Sequence, residues 1–235
     1  MKMASMATAV VMVAATSLAA VAYVGTGYTL FGTATYVSPG NASNRAVRLQ
    51  SDTPAEFAGI DFGLPANLQI QDLDWLSTDY KFPVGVTCNG GAPRFQIQLD
   101  QYPGKNIFVY IGPAPSYTGC PSDVWTDTGD LLTDASHVDT SQLPGGTYGD
   151  TWGAAQARYS GAVVTDISLV TDNFDASSNT VTVDNTKIND ATYTYEFTSA
   201  NDCKRGGWKN FDSDPGPFRN QGQCVSHFNR NKPEF

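Results

Sequence analysis

The chain has 235 residues and a formal net charge of −9, with 23 acidic residues against 14 Lys and Arg. This balance excludes nucleic acid as an expected partner, because phosphate binding depends on clustered Lys and Arg. The length suits one large β domain with a substantial core, and no second domain is required.

The first 22 residues have the pattern of a secretory signal peptide. Lys2 precedes an apolar run from Ala7 to Ala22, which ends in a small-x-small cleavage site at residues 20–22. Retention as a membrane anchor is the alternative, but the run is shorter than the ~20 apolar residues that span a bilayer. We therefore expect a mature chain that begins at Tyr23, is secreted or held at the cell surface, and makes no membrane contact after cleavage.

Short segments between residues 23 and 201 alternate apolar and polar side chains with period two, which indicates half-buried strands. In residues 94–100, Phe95, Ile97 and Leu99 share one face. The same alternation occurs at Val47 and Leu49, at Val181 and Val183, and at Tyr193, Tyr195 and Phe197. The continuously apolar segment 107–111 predicts a central strand covered on both faces.

Pro-Gly and Asn-Gly pairs separate these segments and supply turns. Many short strands joined by such turns predict an all-β fold, a jelly-roll-like antiparallel β-sandwich, over residues 23–201. One short helix is expected after Asp150, whose carboxylate can cap it, with Trp152, Ala155 and Tyr159 on one face.

The last part of the chain, residues 202–235, differs in charge from the body. From Cys203 onward six Lys and Arg stand against three acidic residues, and strand patterning stops near Asn201. Opposite charge favours docking of this basic segment on the acidic body, and contact with an anionic cell wall is the alternative.

Four cysteines in an exported chain predict two disulfides, for which three connectivities exist. Pairing of Cys88 with Cys120 and of Cys203 with Cys224 is favoured, because each pair brackets one local segment. A zinc site is the alternative, but the chain contains no Cys-x-x-Cys spacing.

The second cysteine pair lies in a distinctive stretch. It reads Asp202-Cys203-Lys204-Arg205-Gly206-Gly207-Trp208-Lys209-Asn210-Phe211, then Phe218-Arg219-Asn220-Gln221-Gly222-Gln223-Cys224-Val225-Ser226. This stretch resembles a C-terminal signature of secreted, largely uncharacterised bacterial β-sandwich proteins. The body resembles those proteins at residues 89–95 and 108–113, whereas residues 212–217 form a longer loop than the signature usually has. The resemblance implies an exported β protein and no particular activity.

Within this stretch, Gly206 and Gly207 permit a tight turn, and Trp208 with Phe211 or Phe218 predicts a small core held by the disulfide. Trp208 is also a candidate ligand contact. The side chains of Asn220 and Gln221 either satisfy the loop backbone, which is the favoured reading, or contact a ligand.

No catalytic motif is present, so no catalytic residue is assigned and the chain is expected to lack enzyme activity. A Gly-x-Ser-x-Gly nucleophile elbow and a His-Glu-x-x-His metal site are both missing. Glycoside cleavage needs two carboxylates across a groove, and Glu56 and Glu196 lie in strand-like segments where carboxylates are usually solvated.

Calcium is the one cofactor that the sequence leaves open, because Asp-rich loops suit a hard cation. The candidate ligands are Asp127 with Asp130 and Asp172 with Asp175. Turn capping by these side chains is the favoured alternative.

Aromatic residues in loops point to a ligand, because flat rings on a sandwich surface can stack on sugars. Trp125 and Tyr117 are the first candidates, although core packing is the commoner role of such rings. The leading hypothesis is a non-catalytic, extracellular β-sandwich that binds glycan, cell-wall polymer or matrix. The alternatives are a self-associating subunit of a surface layer or filament and a glycan-cleaving enzyme. Residues 41–43 are also a glycosylation sequon.

Overall fold

The structure is a computed structural model that describes residues 27–53, 55–133, 137–173, 179–196, 199–210 and 217–230. The expected signal peptide, Asp175, Phe197 and Phe211 lie outside these ranges. The described chain forms two sheets whose strands pair antiparallel throughout, so the predicted all-β fold is confirmed. No helix within the described ranges is long and apolar enough to cross a membrane.

The sandwich has twelve strands and two α-helices in the described part of the chain. The strands are β1 (Tyr28–Gly32), β2 (Thr35–Val37), β3 (Ala46–Ser51), β4 (Phe57–Phe62), β5 (Leu76–Lys81), β6 (Arg94–Leu99), β7 (Asn106–Tyr110), β8 (Thr126–Asp127), β9 (Val138–Asp139), β10 (Val164–Asp172), β11 (Asn179–Ile188) and β12 (Ala191–Tyr193). The helices are α1 (Trp152–Arg158) and α2 (Gln221–Arg230), with 3₁₀ turns at Ile70–Asp72 and Lys204–Asn210.

The first sheet has the order β1-β4-β10-β6-β7-β9, and the second has the order β2-β3-β11-β5-β8 with β12 beside β11. Consecutive strands take corresponding places in opposite sheets, as β3 and β4 do and as β10 and β11 do. This is the jelly-roll-like arrangement that the sequence predicts. β8 and β9, at one edge of each sheet, have two residues each, which leaves little open edge there for pairing with another chain.

The core lies between the sheets and is built from the alternating positions. Phe95, Ile97 and Leu99 of β6 are at most 1% exposed. The predicted apolar positions of β3 and β11 are likewise buried, and they are Val47, Leu49, Val181 and Val183. Period-two alternation therefore identified the inward face of these strands correctly.

The strand predicted at residues 107–111 is present, but its outer face is not covered at Phe108. Ile107 and Val109 of β7 face the core, but Phe108 between them is only half-buried. Tyr110, which shares the outer face with Phe108, is only 8% exposed, so the opening in this face is at Phe108. A continuous apolar run can thus include aromatic residues that line a surface pocket.

The predicted helix is confirmed as α1, but its cap differs from the prediction. The Thr151 hydroxyl accepts a hydrogen bond from the backbone N–H of Ala154 at 3.2 Å, so Thr151 is the N-cap residue. The Asp150 carboxylate instead accepts from the backbone N–H of Thr151. Trp152 and Tyr159 are buried against the core, as expected.

The turn between β2 and β3 packs its sequon onto two carboxylates. Asn41 Nδ2 donates to Asp79 Oδ2 at 2.8 Å, and its backbone N–H donates to Asp184 Oδ2 at 2.8 Å. The Ser43 hydroxyl donates to the same Asp184 oxygen at 2.6 Å. Asp184 is fully buried, and burial raises the pKa of its carboxyl.

The C-terminal segment contains a helix where a disulfide-closed loop is predicted. Asn220 Oδ1 accepts from the backbone N–H of Gln223 at 2.9 Å and caps α2. The small core expected around Trp208 is present, with Phe218 and the Cys203 to Cys224 disulfide at its centre. It is a separate cluster from the sandwich core.

Candidate ligand-binding site

The outer face of the first sheet carries a pocket of about 250 Å³. In the antiparallel register of β6 and β7, Arg94 pairs with Tyr110 and Gln96 pairs with Phe108. These positions alternate with the core residues and therefore project outward. Arg94, Phe108 and Tyr110 form one wall of the pocket.

Two further segments complete the pocket. The turn from Asn89 to Ala92 closes one side, and its glycine at position 91 has a φ of 135°, which L side chains rarely adopt. The end of β10 and the start of β11 supply Asp172, Asn173 and Asn179. Pairing of β10 with β6 brings these residues, distant in sequence, beside Arg94.

An ion pair lies on the pocket wall. Arg94 Nη1 and Nη2 donate to the two carboxylate oxygens of Asp172 at 2.9 and 2.6 Å. Nη1 also donates to the Gly91 carbonyl at 2.8 Å, and the guanidinium lies 4.8 Å from the ring centre of Phe108. The bidentate geometry fixes both side chains and neutralises the charge of each.

Residues of this pocket hold four buried polar atoms that have no hydrogen-bond partner among the described residues. They are Arg94 Nε, Asn173 Nδ2, Asn173 Oδ1 and Asn179 Oδ1. Asn173 is 6% exposed and Asn179 is 4% exposed. Such atoms cost about 1–3 kcal/mol each, so their concentration at one pocket is typical of a site that a ligand completes.

Tyr110 is held in place by its neighbours. Its hydroxyl donates to Asp139 Oδ2 at 2.9 Å, and its ring stacks on Tyr117 with centroids 4.1 Å apart. Burial, reinforced by the Asp139 carboxylate, raises the pKa of Tyr110. Burial, reinforced by Tyr148, raises the pKa of Tyr117 to about 12. Both phenols are therefore neutral at physiological pH.

The first predicted disulfide supports the same pocket. Cys88, which precedes the Asn89 turn, is bonded to Cys120, which follows the loop carrying Tyr117. The Thr87 hydroxyl also donates to the Cys120 carbonyl at 2.8 Å. The disulfide thus ties the turn at the pocket rim to the loop beneath Tyr110.

A second pocket, of about 360 Å³, lies on the same sheet face. Phe31, Glu56, Phe57 and Gln96 line it, and it shares Asp172 with the first pocket. The two pockets therefore lie on either side of one carboxylate.

The two loop aromatics predicted as ligand contacts lie apart in the fold. Tyr117 is 2% exposed, so its ring is not accessible to a ligand. Instead of contacting a ligand, as the sequence predicted, the Tyr117 ring stacks on Tyr110 and supports it. Trp125 is half-buried and precedes β8 at the edge of the second sheet, away from both pockets. Its ligand contact stays a prediction.

The predicted contacts in the C-terminal segment have structural partners. Trp208 packs on the small core of that segment, and Asn220 caps α2. Gln221 is the exposed first residue of α2. Asn220 therefore hydrogen-bonds the local backbone, as the favoured alternative for these polar side chains predicted.

The predicted calcium ligands are engaged locally. Asp127 Oδ1 accepts from the Gly129 N–H at 2.9 Å, and Asp130 Oδ1 accepts from two backbone N–H groups. Asp172 binds Arg94, and Asp175 lies outside the described ranges. Within those ranges no group of three or more metal-binding side chains occurs. Two of these carboxylates thus perform the turn capping that the sequence favoured.

Sequence reasoning missed the pocket residues Arg94, Phe108, Tyr110, Asn173 and Asn179 as a site. One signal was available, because two body segments that stand out in the sequence, residues 89–95 and 108–113, contribute most of the pocket lining. Strand pairing of β6 with β7 brings those segments together.

Among known proteins, the chain is similar only to solved structures. No protein-family model and no curated protein matches the chain. The family 11 carbohydrate-binding module of the cellulosomal cellulase Lic26A-Cel5E of Clostridium thermocellum is 17% identical, with a TM-score of 0.40 over 69% of this chain and 86% of that one. The family 11 module from Clostridium thermocellum in complex with a β-1,3-1,4-mixed-linked tetrasaccharide is 17% identical, with a TM-score of 0.39 over 71% and 96%.

Proposed function

We propose that this chain is a non-catalytic glycan-binding protein that acts outside the cell, and that the pocket around Arg94 and Asp172 is its binding site. The observation that carries the proposal is the set of four unpaired buried polar atoms in one pocket. Binding that supplies their hydrogen bonds recovers a desolvation cost that the fold alone leaves unmet.

The kinds of unpaired atom define the ligand. Arg94 Nε and Asn173 Nδ2 are donors, whereas Asn173 Oδ1 and Asn179 Oδ1 are acceptors. A hydroxyl both donates and accepts, so two neighbouring hydroxyls of a sugar ring match this set. Rotation about the last side-chain torsion, which is broad for Asn, turns each amide toward the pocket.

An anionic ligand fits the same set poorly. A carboxylate or phosphate group only accepts hydrogen bonds, so it would leave both Asn oxygens unpaired. It would also meet the Asp172 carboxylate, whose charge already neutralises Arg94. The pocket therefore favours a neutral sugar.

The apolar part of the pocket suits the C–H face of a sugar ring. Phe108 and Tyr110 supply aromatic surface beside the polar groups. A mixed lining of this kind, with a few placed polar groups, is typical of small-ligand sites.

The pocket lacks the groups that glycan cleavage requires. Glycosidases use two carboxylates, one of which gives up a proton. Among the described residues lining this pocket only Asp172 is acidic, and both its oxygens accept from Arg94. The arrangement is that of a binding site.

Export rests on the sequence and agrees with the cysteines. Both disulfides are formed, and such bonds persist in oxidising compartments. The signal-peptide pattern at residues 1–22 supports secretion or display at the cell surface.

The test is retention of the mature chain, residues 23–235, on a panel of immobilised neutral and acidic polysaccharides. We expect retention on a neutral polysaccharide, with loss in Asn173→Ala and Phe108→Ala. Trp75→Ala, which removes an exposed ring just before β5 of the second sheet, is the matched control and should bind normally. Retention lost in Trp125→Ala but kept in Asn173→Ala would overturn this site, and no retention on any member would overturn the function.

A further inference from the structure

The second pocket differs from the first in chemistry. None of the unpaired buried atoms among the described residues belongs to its lining. Its main feature is aromatic, because Phe57 is 52% exposed and its ring centre lies 5.9 Å from that of Phe31. The second pocket thus offers stacking surface without a demand for hydrogen bonds.

Strand register connects the two pockets in a line. Phe31 pairs with Gly59, Gly59 with Val170, and Val170 with Arg94, which pairs with Tyr110. These outward positions cross five neighbouring strands, a span of roughly 19 Å at the usual strand spacing. The line is therefore long enough for several sugar rings in a row.

Where this row of residues crosses β4, a glycine leaves the sheet surface without a protruding side chain. A Cβ at Gly59 would lie 2.1 Å from Phe31 Cζ and 2.8 Å from the Leu169 carbonyl oxygen. The absence of a side chain lets the Phe31 ring pack directly on the sheet backbone. Phe57 is the strand partner of Asp172, and its ring lies beside that of Phe31, so a ligand chain can pass from Asp172 onto both rings.

We infer that the ligand is an oligosaccharide chain that lies across the strands of the first sheet, with one ring hydrogen-bonded in the first pocket and a later ring stacked at Phe57. This inference rests on the proposed glycan function. The ligand chain is also neutral at the second subsite, because Glu56 places a carboxylate beside the second pocket and repels acidic sugars.

The experiment is isothermal titration calorimetry of the mature chain with defined neutral gluco-, xylo-, manno- and galacto-oligosaccharides, from disaccharide to hexasaccharide. We expect affinity to rise about tenfold with chain length, which corresponds to 1.4 kcal/mol, and Phe57→Ala to remove that rise. The matched control is Tyr36→Ala, since Tyr36 is 45% exposed on the second sheet.

Two other outcomes are distinguishable. Affinity that is equal for all lengths, but lost in Asn173→Ala, would overturn the second subsite and leave the glycan function standing. Binding of no oligosaccharide by the wild-type chain would overturn the glycan function and this inference together. A rise with length that Phe57→Ala leaves intact would place the added contacts elsewhere and refute the Phe57 subsite.

Discussion

Replacement of Asn173 by Leu is expected to make the protein more stable while it removes binding. The Asn173 amide is 6% exposed, and neither its nitrogen nor its oxygen has a hydrogen-bond partner among the described residues. Leu has a similar shape but no polar atoms, so the substitution removes two desolvated groups that are unpaired in the free protein.

The size of the effect follows from those two atoms. Each unsatisfied buried polar atom costs about 1–3 kcal/mol, so their removal contributes roughly 2 kcal/mol at the lower bound. Overpacking by the larger methyl groups opposes this gain, but the adjacent pocket of about 250 Å³ provides space for them. We expect a net rise of about 1–2 kcal/mol in the free energy of unfolding, or roughly 4 °C in Tm for a domain of this size.

The assay compares two substitutions of the same kind by thermal and urea unfolding. Asn41→Leu is the control, because Asn41 Nδ2 donates to Asp79 Oδ2 at 2.8 Å. Its removal should lower the free energy of unfolding by about 1–3 kcal/mol. The two Asn to Leu changes therefore have opposite expected signs, and Asn173→Leu should also lose polysaccharide retention.

A fall in Tm for Asn173→Leu as large as that for Asn41→Leu would refute the reasoning. It would mean that the Asn173 amide is hydrogen-bonded within the free protein. The pocket would then hold no unmet demand for a ligand, and the central argument for the binding site would fail.

Three further predictions concern charge and cross-linking. In affinity electrophoresis, the Asp172→Asn variant should bind neutral glycans more weakly and uronic-acid polymers more strongly than the wild type, because Arg94 loses its counter-charge. An unchanged preference between neutral and acidic polymers would contradict this prediction. The double substitution Cys88→Ser and Cys120→Ser should lower the free energy of unfolding in urea by about 4 kcal/mol, because the cysteines are 32 residues apart, and should also weaken glycan retention. If neither quantity changes, the disulfide has no role at the pocket. Despite the opposing effect of burial, hydrogen bonds lower the pKa of Asp150, so its stabilisation is full above its unfolded pKa and is lost as pH falls through the lower folded value. The stability difference from Asp150→Asn should therefore be full at pH 7, begin to shrink below about pH 4, and vanish only below the lowered folded pKa.

The strands and the disulfides were predictable because both have local signals. Alternation in residues 94–99 reports which side chains face the core, and each cysteine pair brackets a short segment. The helix α2 also had a signal, since Asn220 and Gln223 have the spacing of a capping box.

The site was not predictable, because it is assembled by pairing between segments far apart in the chain. Arg94 and Asp172 meet only when β10 pairs with β6, and no local pattern specifies that register. Exposure of an aromatic ring is equally non-local. Tyr117 follows Pro and Ser in a loop, yet stacking on Tyr110 buries it.

In a host that glycosylates exported chains, closure of the turn that holds Asn41 competes with glycosylation of Asn41. The sugar is attached at Nδ2, the atom that Asp79 binds in the folded protein, and the neighbouring Ser43 hydroxyl is held by Asp184. A glycan added during synthesis therefore prevents this turn from closing on β5 and β11, whereas a closed turn hides the acceptor atom from the transferase. Secretion from such a host should yield two populations, and the share of each depends on whether turn closure or sugar transfer reaches Asn41 first.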